Sequence, residues 1–285
     1  ASDALIRRIV SANARVGASG NAKALVSIAR NEVIEEARRV EALEALGNWA
    51  APPERDMVLH DWRPLDPGQR NVVDAKNALE PEFVHFASGG GGVTRAAITA
   101  AGNLKLASIG KVLEGVAVNR KGRAKERVAS LLSLAKLKYD RMDSVLAKLE
   151  SEFGELPVEL GGPVIELVSA IDEERAIKLI KETLANGQQM TQQSAISTLG
   201  KMKSKLASDM IAKMLKRMNE NDFQANLRLD VSLAAAERSE ESVKKQLAVY
   251  LSATADPDEL VASFADTKIG GNDARGSNIF YGKTE

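Results

Sequence analysis

Hydrophobic residues recur along the chain with a helical period, and one short phrase recurs with them. The phrase is a small residue, a large apolar residue, two variable residues, an apolar residue and a glycine. It occurs at Ala42–Gly47, Ala97–Gly102 and Ala195–Gly200. Its apolar members share one face of a helix, and its glycine is typical of a helix C-terminus. The phrase therefore predicts a helix that buries the same face at each occurrence.

Weaker copies of the phrase lie between and beyond the three good ones. They occur at Ser130–Ala135, near Leu167-Val168 and at Asp230–Ala235, so the closing positions fall at 47, 102, 135, 168, 200 and 235. After a first interval of 55, the spacings are 33, 33, 32 and 35 residues. Such a fixed period is typical of a solenoid, because one helix pair cannot bury its apolar faces without stacking on a neighbour. An irregular all-α bundle of similar alanine-rich helices is the alternative.

The periodicity predicts two helices in each repeat and no strand. The first helices are expected at 21–30, 72–86, 109–118, 142–153, 176–184, 208–218 and 241–251, and their partners at 33–49, 93–104, 124–138, 160–171, 191–202, 225–237 and 258–264. The first eight residues already form an amphipathic helical pattern rather than a signal peptide. The predicted fold is all-α: a right-handed α-solenoid of about seven stacked antiparallel helix pairs over residues 1–265.

Composition narrows the chemistry mainly by exclusion. Hydrophobic residues make up 44% of the chain and aromatic residues only 4%, so the core is expected to consist of Ala, Leu, Val and Ile. Lys and Arg number 39, as do Asp and Glu, a balance that predicts no general attraction to nucleic acid or an anionic membrane. Without cysteine, this segment can hold no disulfide, thiolate metal site or covalently attached haem. No stretch approaches the run of about 18 apolar residues that predicts a membrane span.

The first interval of 55 exceeds the common 33 by 22 residues, and the excess falls at residues 50–70. Four of the eight prolines of the chain lie there: Pro52, Pro53, Pro64 and Pro67. Because proline cannot continue a helix, this segment is predicted to be an insertion, and insertions in solenoids often lie on the binding face. The candidate interaction residues are His60, Asp61, Trp62 and Arg63. In the alternative interpretation, Trp62 fills a gap between two repeats and Arg63 pairs with a nearby carboxylate.

The sequence contains no recognisable set of catalytic residues. His60 and His85 lack the companions that a metal site or a nucleophile–base pair needs. Ser88–Gly92 is rich in glycine, but no predicted strand precedes it and no Lys-Ser/Thr pair follows, so an inter-helix loop is favoured over a phosphate cradle. The acidic run Asp172–Glu174 lies where a helix should begin, so we interpret it as a helix cap whose negative charge interacts favourably with the helix dipole. We therefore predict no catalytic, cofactor-binding or metal-binding residue and no enzymatic activity for this segment.

The repeated helix pairs resemble HEAT-type, armadillo-like α-solenoids over about residues 20–265. The resemblance implies that the chain binds another protein or a neighbouring domain of the same parent chain. Some HEAT-like proteins, such as bacterial alkyl-base DNA glycosylases, bind a duplex on a basic face. A basic run is present here and comprises Lys201, Lys203, Lys205, Lys213, Lys216 and Arg217. Acidic neighbours dilute it and aromatic residues are scarce, so a solvated helix face is favoured over nucleic-acid binding.

The end of the chain carries a second resemblance. Gly270–Gly276 has the composition of a linker, and after it Ile279, Phe280 and Tyr281 stand in the register of the lead-in to a c-type haem motif. Together with the helix pairs and the Trp62–Leu65 string, this tail resembles part of the large secreted proteins of planctomycetes and related bacteria. Those proteins join a propeller that resembles sorbosone or sugar dehydrogenases, HEAT-like repeats and a C-terminal c-type cytochrome.

The second resemblance implies a boundary near residue 265, with residues 266–285 as a linker and the start of a truncated c-type cytochrome domain. It implies a non-catalytic scaffold that links a dehydrogenase-like domain to an electron-carrying one, in a periplasmic or extracytoplasmic setting. Haem c is expected in the parent downstream of Glu285, and no cofactor within this segment. A free-standing protein-binding HEAT adaptor is the alternative.

Overall fold

The computed structural model describes residues 2–65, 70–253, 269–272 and 276. Within these ranges the ordered elements are helices, and extended pairing is limited to an isolated antiparallel bridge between Arg55 and Trp62. The prediction of an all-α fold is therefore confirmed. The helices are α1 (Asp3–Val16), α2 (Ser19–Arg30), α3 (Glu36–Gly47), α4 (Val72–Leu79), α5 (Phe83–Gly89), α6 (Gly91–Asn103), α7 (Gly110–Ala117), α8 (Ala124–Leu137), α9 (Met142–Glu150), α10 (Val158–Ser169), α11 (Glu173–Asn186), α12 (Gln189–Lys201), α13 (Lys205–Asn219), α14 (Arg228–Ala236) and α15 (Glu241–Ala253).

Most predicted helices agree with the structure to within a few residues. The helix expected at 72–86 is instead divided into α4 and α5 by the 3-10 turn Glu80–Glu82. Pro81 lies in that turn, and proline removes a backbone donor and clashes with the preceding helical turn. The N-terminal helix continues to Val16, where Gly17 ends it with a left-handed φ of 70°. The helix expected at 258–264 lies outside the described residues.

Contacts divide the chain into two compact units, residues 1–148 and residues 149–285. In the first unit, α3 packs on α6 and α6 packs on α8, while α2 lies against α3 and α7 against α8. In the second unit, α10 packs on α12 and α12 packs on α14, while α11 contacts both α10 and α12. In each unit, the second helix of one predicted pair therefore packs on the second helix of the next.

The repeated phrase predicts burial correctly at one position in every copy. This position lies four residues before the closing position and is fully buried in all six copies: Leu43, Ile98, Leu131, Val164, Ile196 and Val231. Each of these residues is apolar, as a helix face that packs against its neighbours requires. The spacing of the phrase therefore marks equivalent buried positions on successive helices.

Gly47 is the last residue of α3, as the sequence suggests, but the closing glycines also have a role in packing. Gly102 and Gly200 lie inside the last turns of α6 and α12 and have no left-handed φ, so they are not terminating residues. A Cβ atom built on Gly200 would lie 3.0 Å from the Ala234 Cα in α14, and one on Gly102 would lie 2.7 Å from the Ser133 Cβ in α8. The glycines therefore permit a close approach of successive helices.

A second register position was not evident from the sequence. Eight residues before the closing position, four copies carry a side chain that donates to a carbonyl in the last turn of the preceding helix. The bonds join Arg39 Nε to the Ala29 carbonyl (2.8 Å), Thr94 Oγ1 to Phe86 (2.6 Å), Arg127 Nε to Ala117 (3.0 Å) and Gln192 Nε2 to Leu184 (3.2 Å). The last carbonyls of a helix have no partner within the helix, so these donors cap it. Leucine occupies this position in the remaining copies, at Leu160 and Leu227.

Candidate functional site

The insertion turn, which we define as residues 54–63, is a hairpin-like segment between α3 and α4. Its arms are joined by hydrogen bonds from the Asp56 N–H to the Asp61 carbonyl (2.9 Å) and from the Arg63 N–H to the Glu54 carbonyl (2.9 Å). At the tip, the His60 N–H donates to the Asp56 carbonyl (2.8 Å), and His60 has a left-handed φ of 59°. Residues 48–65 form no helix, in agreement with the proline content of the insertion. The insertion turn therefore has a defined backbone conformation.

Asp56 is the side chain that organises the insertion turn. It is 4% exposed, and its Oδ1 accepts hydrogen bonds from the N–H groups of Val58 (2.8 Å) and Leu59 (2.9 Å). Its Oδ2 lies 3.7 Å from Arg15 Nε and 3.6 Å from Arg63 Nη1. The bonds from Leu59 and Val58, and then the two guanidinium groups, lower the pKa of the Asp56 carboxyl although burial opposes this shift. The turn is thus held by an ionised carboxylate at neutral pH.

Helix α1 braces the insertion turn through two arginines. Arg7 Nη2 donates to the Met57 carbonyl (2.8 Å), and Arg15 Nη2 donates to the Arg63 carbonyl (2.9 Å). These bonds join residues that are 50 and 48 positions apart in the sequence. Because a guanidinium group presents several donors in a fixed plane, Arg15 can bond this carbonyl and face Asp56 at the same time. The first helix and the insertion therefore form one local structure.

The far end of the insertion is anchored by Trp49 and Arg70. Trp49 is fully buried, its Nε1 donates to the Asn71 carbonyl (3.1 Å), and the Arg70 guanidinium lies 5.4 Å from its ring centroid. Arg70 also donates to the Ala14 carbonyl and to that of Arg15 (3.0 Å), at the end of α1. Burial, and then the Arg15 charge, lower the pKa of Arg70. The tryptophan that packs in the interior of this region is Trp49.

All four candidate interaction residues are exposed: His60, Asp61, Trp62 and Arg63. Trp62 is 59% exposed and fills no gap between repeats, so that alternative is wrong for this residue. Arg63 does pair with a carboxylate, that of Asp56. Leu59, which sequence reasoning missed, is 55% exposed on the same turn. A large apolar residue among turn-forming neighbours was the signal that could have identified it. The insertion turn therefore presents two large apolar side chains to solvent on a braced backbone.

The glycine-rich stretch is occupied by carboxylates of the protein itself. Only Gly90 separates α5 from α6. The N–H groups of Gly91 and Gly92, at the start of α6, donate to Glu126 Oε1 (2.8 Å) and Glu36 Oε1 (2.6 Å). A helix N-terminus favours an anion because its N–H groups lack partners and its dipole is positive there. Two glutamates therefore hold the positions that a phosphate would take in a glycine-rich cradle.

The other candidates for chemistry have structural partners. Asp172 caps α11 by accepting hydrogen bonds from the N–H groups of Glu174 (2.9 Å) and Arg175 (3.0 Å), which confirms the predicted cap. The His85 ring packs edge-on against Phe86, with 5.7 Å between ring centroids. In the part of the chain that the structure describes, no group of three or more His, Cys, Asp or Glu side chains is arranged to hold a metal ion.

The basic run in the second unit is partly neutralised. Its six cations are exposed, and three of them pair with carboxylates: Lys201 with Glu166 (3.1 Å), Lys216 with Glu220 (3.8 Å) and Arg217 with Asp222 (3.0 Å). Arg217 also lies over the Phe223 ring, 5.6 Å from its centroid, which engages the aromatic residue nearest to the run. This arrangement agrees with a solvated helix face rather than with a stacking platform for bases.

A buried arginine forms a polar cluster that the sequence did not single out. Arg238 is 7% exposed and donates to the Glu240 carboxylate through Nη2 (2.6 Å) and Nε (3.2 Å). Ser208 Oγ donates to the same carboxylate (2.6 Å). Ser208 first, and then Arg238, lower the pKa of Glu240 to about 2. Because Arg238 also donates to the Met202 carbonyl after α12, the cluster ties the end of that helix to the start of α15.

Comparison of this chain with models of protein families, with characterised proteins and with solved structures found no match. Among the described helices, none combines the length and the apolar character needed to cross a membrane.

Proposed function

We propose that this chain is a non-catalytic docking scaffold that binds another protein, or a neighbouring domain of its own parent chain, through the insertion turn. The observation that carries this proposal is the exposure of Leu59 and Trp62 on a backbone that is braced by Asp56 and α1. Large apolar side chains, and tryptophan above all, are common anchors of protein interfaces. A turn that is already fixed also loses little conformational entropy on binding.

We propose further that the helix pairs form a right-handed α-solenoid of the HEAT or armadillo-like kind, with about seven repeats. Three recurrent features support this architecture: the buried apolar position, the close helix contacts at the closing glycines, and the capping donors eight residues before the closing position. Within each unit, the contacts run from α3 to α6 and from α6 to α8, and from α10 to α12 and from α12 to α14. Such contacts are expected when each helix pair of a solenoid packs on the next pair. Such a scaffold would carry the insertion as an outgrowth of its first repeat.

A photo-crosslinking amino acid at position 62 tests docking through the insertion turn. Benzoylphenylalanine replaces Trp62 in one variant and Val33, which is 95% exposed, in a matched control. Irradiation of cells that produce the chain is expected to give a protein adduct at position 62 that is absent at position 33. Both replaced residues are exposed, so neither variant should lose stability. Mass spectrometry of the adduct then identifies the partner and the crosslinked peptide.

The same experiment can contradict the proposal. Adducts with the same set of proteins at positions 62 and 33, or at neither, would argue against a specific docking site. Adding Leu59→Ser to the position-62 variant should reduce the adduct several-fold, because Leu59 supplies the second apolar anchor. An adduct that is unchanged by Leu59→Ser would limit the site to the tryptophan.

We propose that the partner is a domain of a secreted redox protein, in which this scaffold links a dehydrogenase-like domain to a c-type cytochrome. The support is the resemblance that ends in Ile279, Phe280 and Tyr281, all of which lie outside the described residues. Haem c would then belong to the cytochrome domain of an extracytoplasmic parent, and no cofactor to this segment. The coding sequence after Glu285 is expected to continue into Cys-x-x-Cys-His. If the next ten codons lack that motif, the proposal of a redox parent is wrong and a free-standing adaptor is favoured.

A DNA-binding function of the alkyl-base glycosylase type is less favoured. Half of the basic run is paired with carboxylates, and its nearest aromatic ring is covered by Arg217. Filter binding with duplex DNA at low salt is expected to show no retention, since non-specific affinity depends on unpaired cations that face the phosphates. If duplex DNA is retained and its retention falls steeply with added salt, the DNA-binding function would be favoured instead.

A further inference from the structure

We infer that the insertion turn receives an acidic peptide segment with an apolar side chain, bound in the cleft between α1 and the turn. This inference rests on the proposed docking function and gives its partner a chemistry. The cleft is a concavity of about 310 Å³. Its charged and larger apolar lining residues are Arg8, Arg15, Asp56, Val58, Leu59 and Arg63.

The cleft has a surplus of positive charge. Among its described lining residues, three guanidinium groups against one carboxylate leave a net charge of +2. Both oxygens of that carboxylate, Asp56, are engaged within the protein, Oδ1 by two backbone N–H groups and Oδ2 by Arg15 and Arg63. Arg8 is exposed and makes no hydrogen bond or ion pair within the described part of the chain. The cleft therefore attracts a further anionic group.

Arg8 and Arg63 are the cations available to that group. The Arg63 side chain is 52% exposed, while that of Arg15 is only 21% exposed and braces the turn. Guanidinium groups bind carboxylates through two parallel hydrogen bonds, which gives them direction as well as charge. A segment with carboxylates on neighbouring residues could therefore engage Arg8 and Arg63 without displacing Arg15 from Asp56.

Apolar surface borders the same cleft. Leu59 lines it, and Trp62 is exposed on the same turn. Ala12 lines it from α1, and the face of α1 that carries Ala12 also carries exposed apolar residues at helical spacing: Leu5, Ile9 and Val16. A wholly polar acidic segment would leave this surface in water, whereas a segment with an apolar side chain would cover part of it. Charge and apolar exposure together therefore select an acidic segment with an apolar anchor.

A peptide fits this surface better than an anionic membrane does. A flat anionic membrane would also face Glu54 and Asp61, which are exposed on the insertion turn outside the cleft lining and would repel its headgroups. The surplus positive charge belongs to residues that line the cleft, which a short chain segment can cover without facing Glu54 and Asp61. We therefore assign the cleft to a peptide and treat membrane binding as an outcome of the test.

Fluorescence anisotropy with the full chain tests the inference. The probe is a fluorescein-labelled Glu-Glu-Leu-Phe-Glu-Glu peptide, and the controls are its glutamine analogue and an analogue with serine in place of Leu-Phe. Saturable binding of the probe at low salt is expected to weaken about 5-fold or more in Arg8→Glu and in Leu59→Ser, because both side chains line the cleft. Lys111→Glu, which makes the same charge change at an exposed position on α7, should bind as the unaltered chain does. Added salt should weaken the binding of the probe and should not change any binding of the glutamine analogue, which carries no carboxylate side chains.

The outcomes separate this inference from the docking function. Equal binding of the glutamine analogue, or equal weakening by Lys111→Glu, would overturn the role of the cleft charge. Co-sedimentation with phosphatidylglycerol–phosphatidylcholine vesicles, without binding of the probe, would assign the surface to a membrane. If no peptide binds while position 62 still crosslinks to a protein, docking stands and the acidic partner is wrong. If the probe binds but position 62 forms no adduct, the cleft chemistry stands and the docking role fails.

Discussion

Gly102 and Ser133 face each other across the contact between α6 and α8, so closely that a Cβ atom on Gly102 would lie 2.7 Å from the Ser133 Cβ. Ser133 Oγ also donates to the Ile98 carbonyl of α6 (3.0 Å). Similar approaches join Gly47 to Ala100 and Gly200 to Ala234. The helices that carry the phrase thus come as near to their neighbours as a missing side chain allows, which increases their packing contact.

Gly102→Ala is expected to lower the free energy of unfolding by about 1–3 kcal/mol, because the new methyl group overlaps the backbone and Cβ of Ser133. Chemical denaturation measures the change. The control is Gly115→Ala on α7, where nothing lies within 4 Å of the added Cβ. There, alanine should instead stabilise by about 0.5–1 kcal/mol through its higher helix propensity. Equal stabilisation at both positions would contradict the close contact.

Arg127→Met is expected to destabilise the first unit by about 1–3 kcal/mol, because the Ala117 carbonyl at the end of α7 loses its cap. Methionine keeps most of the apolar length of the arginine side chain, so the loss reports mainly the polar contacts. Lys125→Met, at an exposed position two residues earlier on α8, is the control and should change stability by less than about 0.5 kcal/mol. If Arg127→Met and Lys125→Met give the same thermal or urea denaturation curve, the proposed capping of α7 by Arg127 is wrong.

Leu43→Ala and Ile196→Ala are each expected to cost about 2–4 kcal/mol, because both side chains are fully buried at the same register position. Leu132→Ala removes the same atoms as Leu43→Ala, from a side chain that is 40% exposed on α8, and should cost much less. Equilibrium unfolding in urea provides the comparison. A midpoint for Leu43→Ala as high as that of the unaltered chain would show that Leu43 is not a core residue.

The Glu240 cluster should make stability depend on acid pH. Ser208, and then Arg238, lower the pKa of the Glu240 carboxyl from its usual value of 4.5 to about 2. A carboxyl with a lowered pKa in the folded state stabilises the fold above its unfolded pKa, and the contribution disappears as pH falls from about 4.5 towards 2. The stability difference between the unaltered chain and Glu240→Gln should therefore shrink over that range.

Urea denaturation at pH 7 and pH 3 tests the Glu240 prediction. Glu240→Gln should be less stable than the unaltered chain at pH 7, and the gap should be smaller at pH 3. Glu241→Gln, a neighbouring and exposed carboxyl at the start of α15, serves as the control. A gap for Glu240→Gln that is the same at both pH values would show that ionisation of this carboxyl does not stabilise the fold.

Asp56→Asn should loosen the insertion turn without unfolding the helices. The amide cannot supply the charge that faces Arg15 and Arg63, although it can still accept a hydrogen bond. Limited trypsin digestion is expected to cut after Arg55 several-fold faster in this variant. Asp61→Asn, on the exposed side of the same turn, should leave the cleavage rate unchanged. Equal cleavage rates for the two variants would contradict the bracing role of Asp56.

The sequence by itself determined the all-α class, most helix positions, the buried register and the place of the insertion. Helical periodicity and proline exclusion are local effects, because they arise between residues within one or two turns of each other. The buried position before each closing residue is apolar in every copy, so the same residue class repeats and is visible in the sequence. Residues 258–264 and most of 266–285 lie outside the described residues, so the last helix and the tail remain predictions.

Only the tertiary structure decided which polar side chains act together. The capping position is filled by Arg39, Thr94, Arg127 and Gln192, four donors that share no side-chain class and therefore leave no sequence pattern. Asp56 accepts local hydrogen bonds from Val58 and Leu59, but only the fold places Arg15, 41 positions earlier in the sequence, beside its carboxylate. Such contacts depend on how helices and turns pack across long sequence separations, and local periodicity carries no information about that packing.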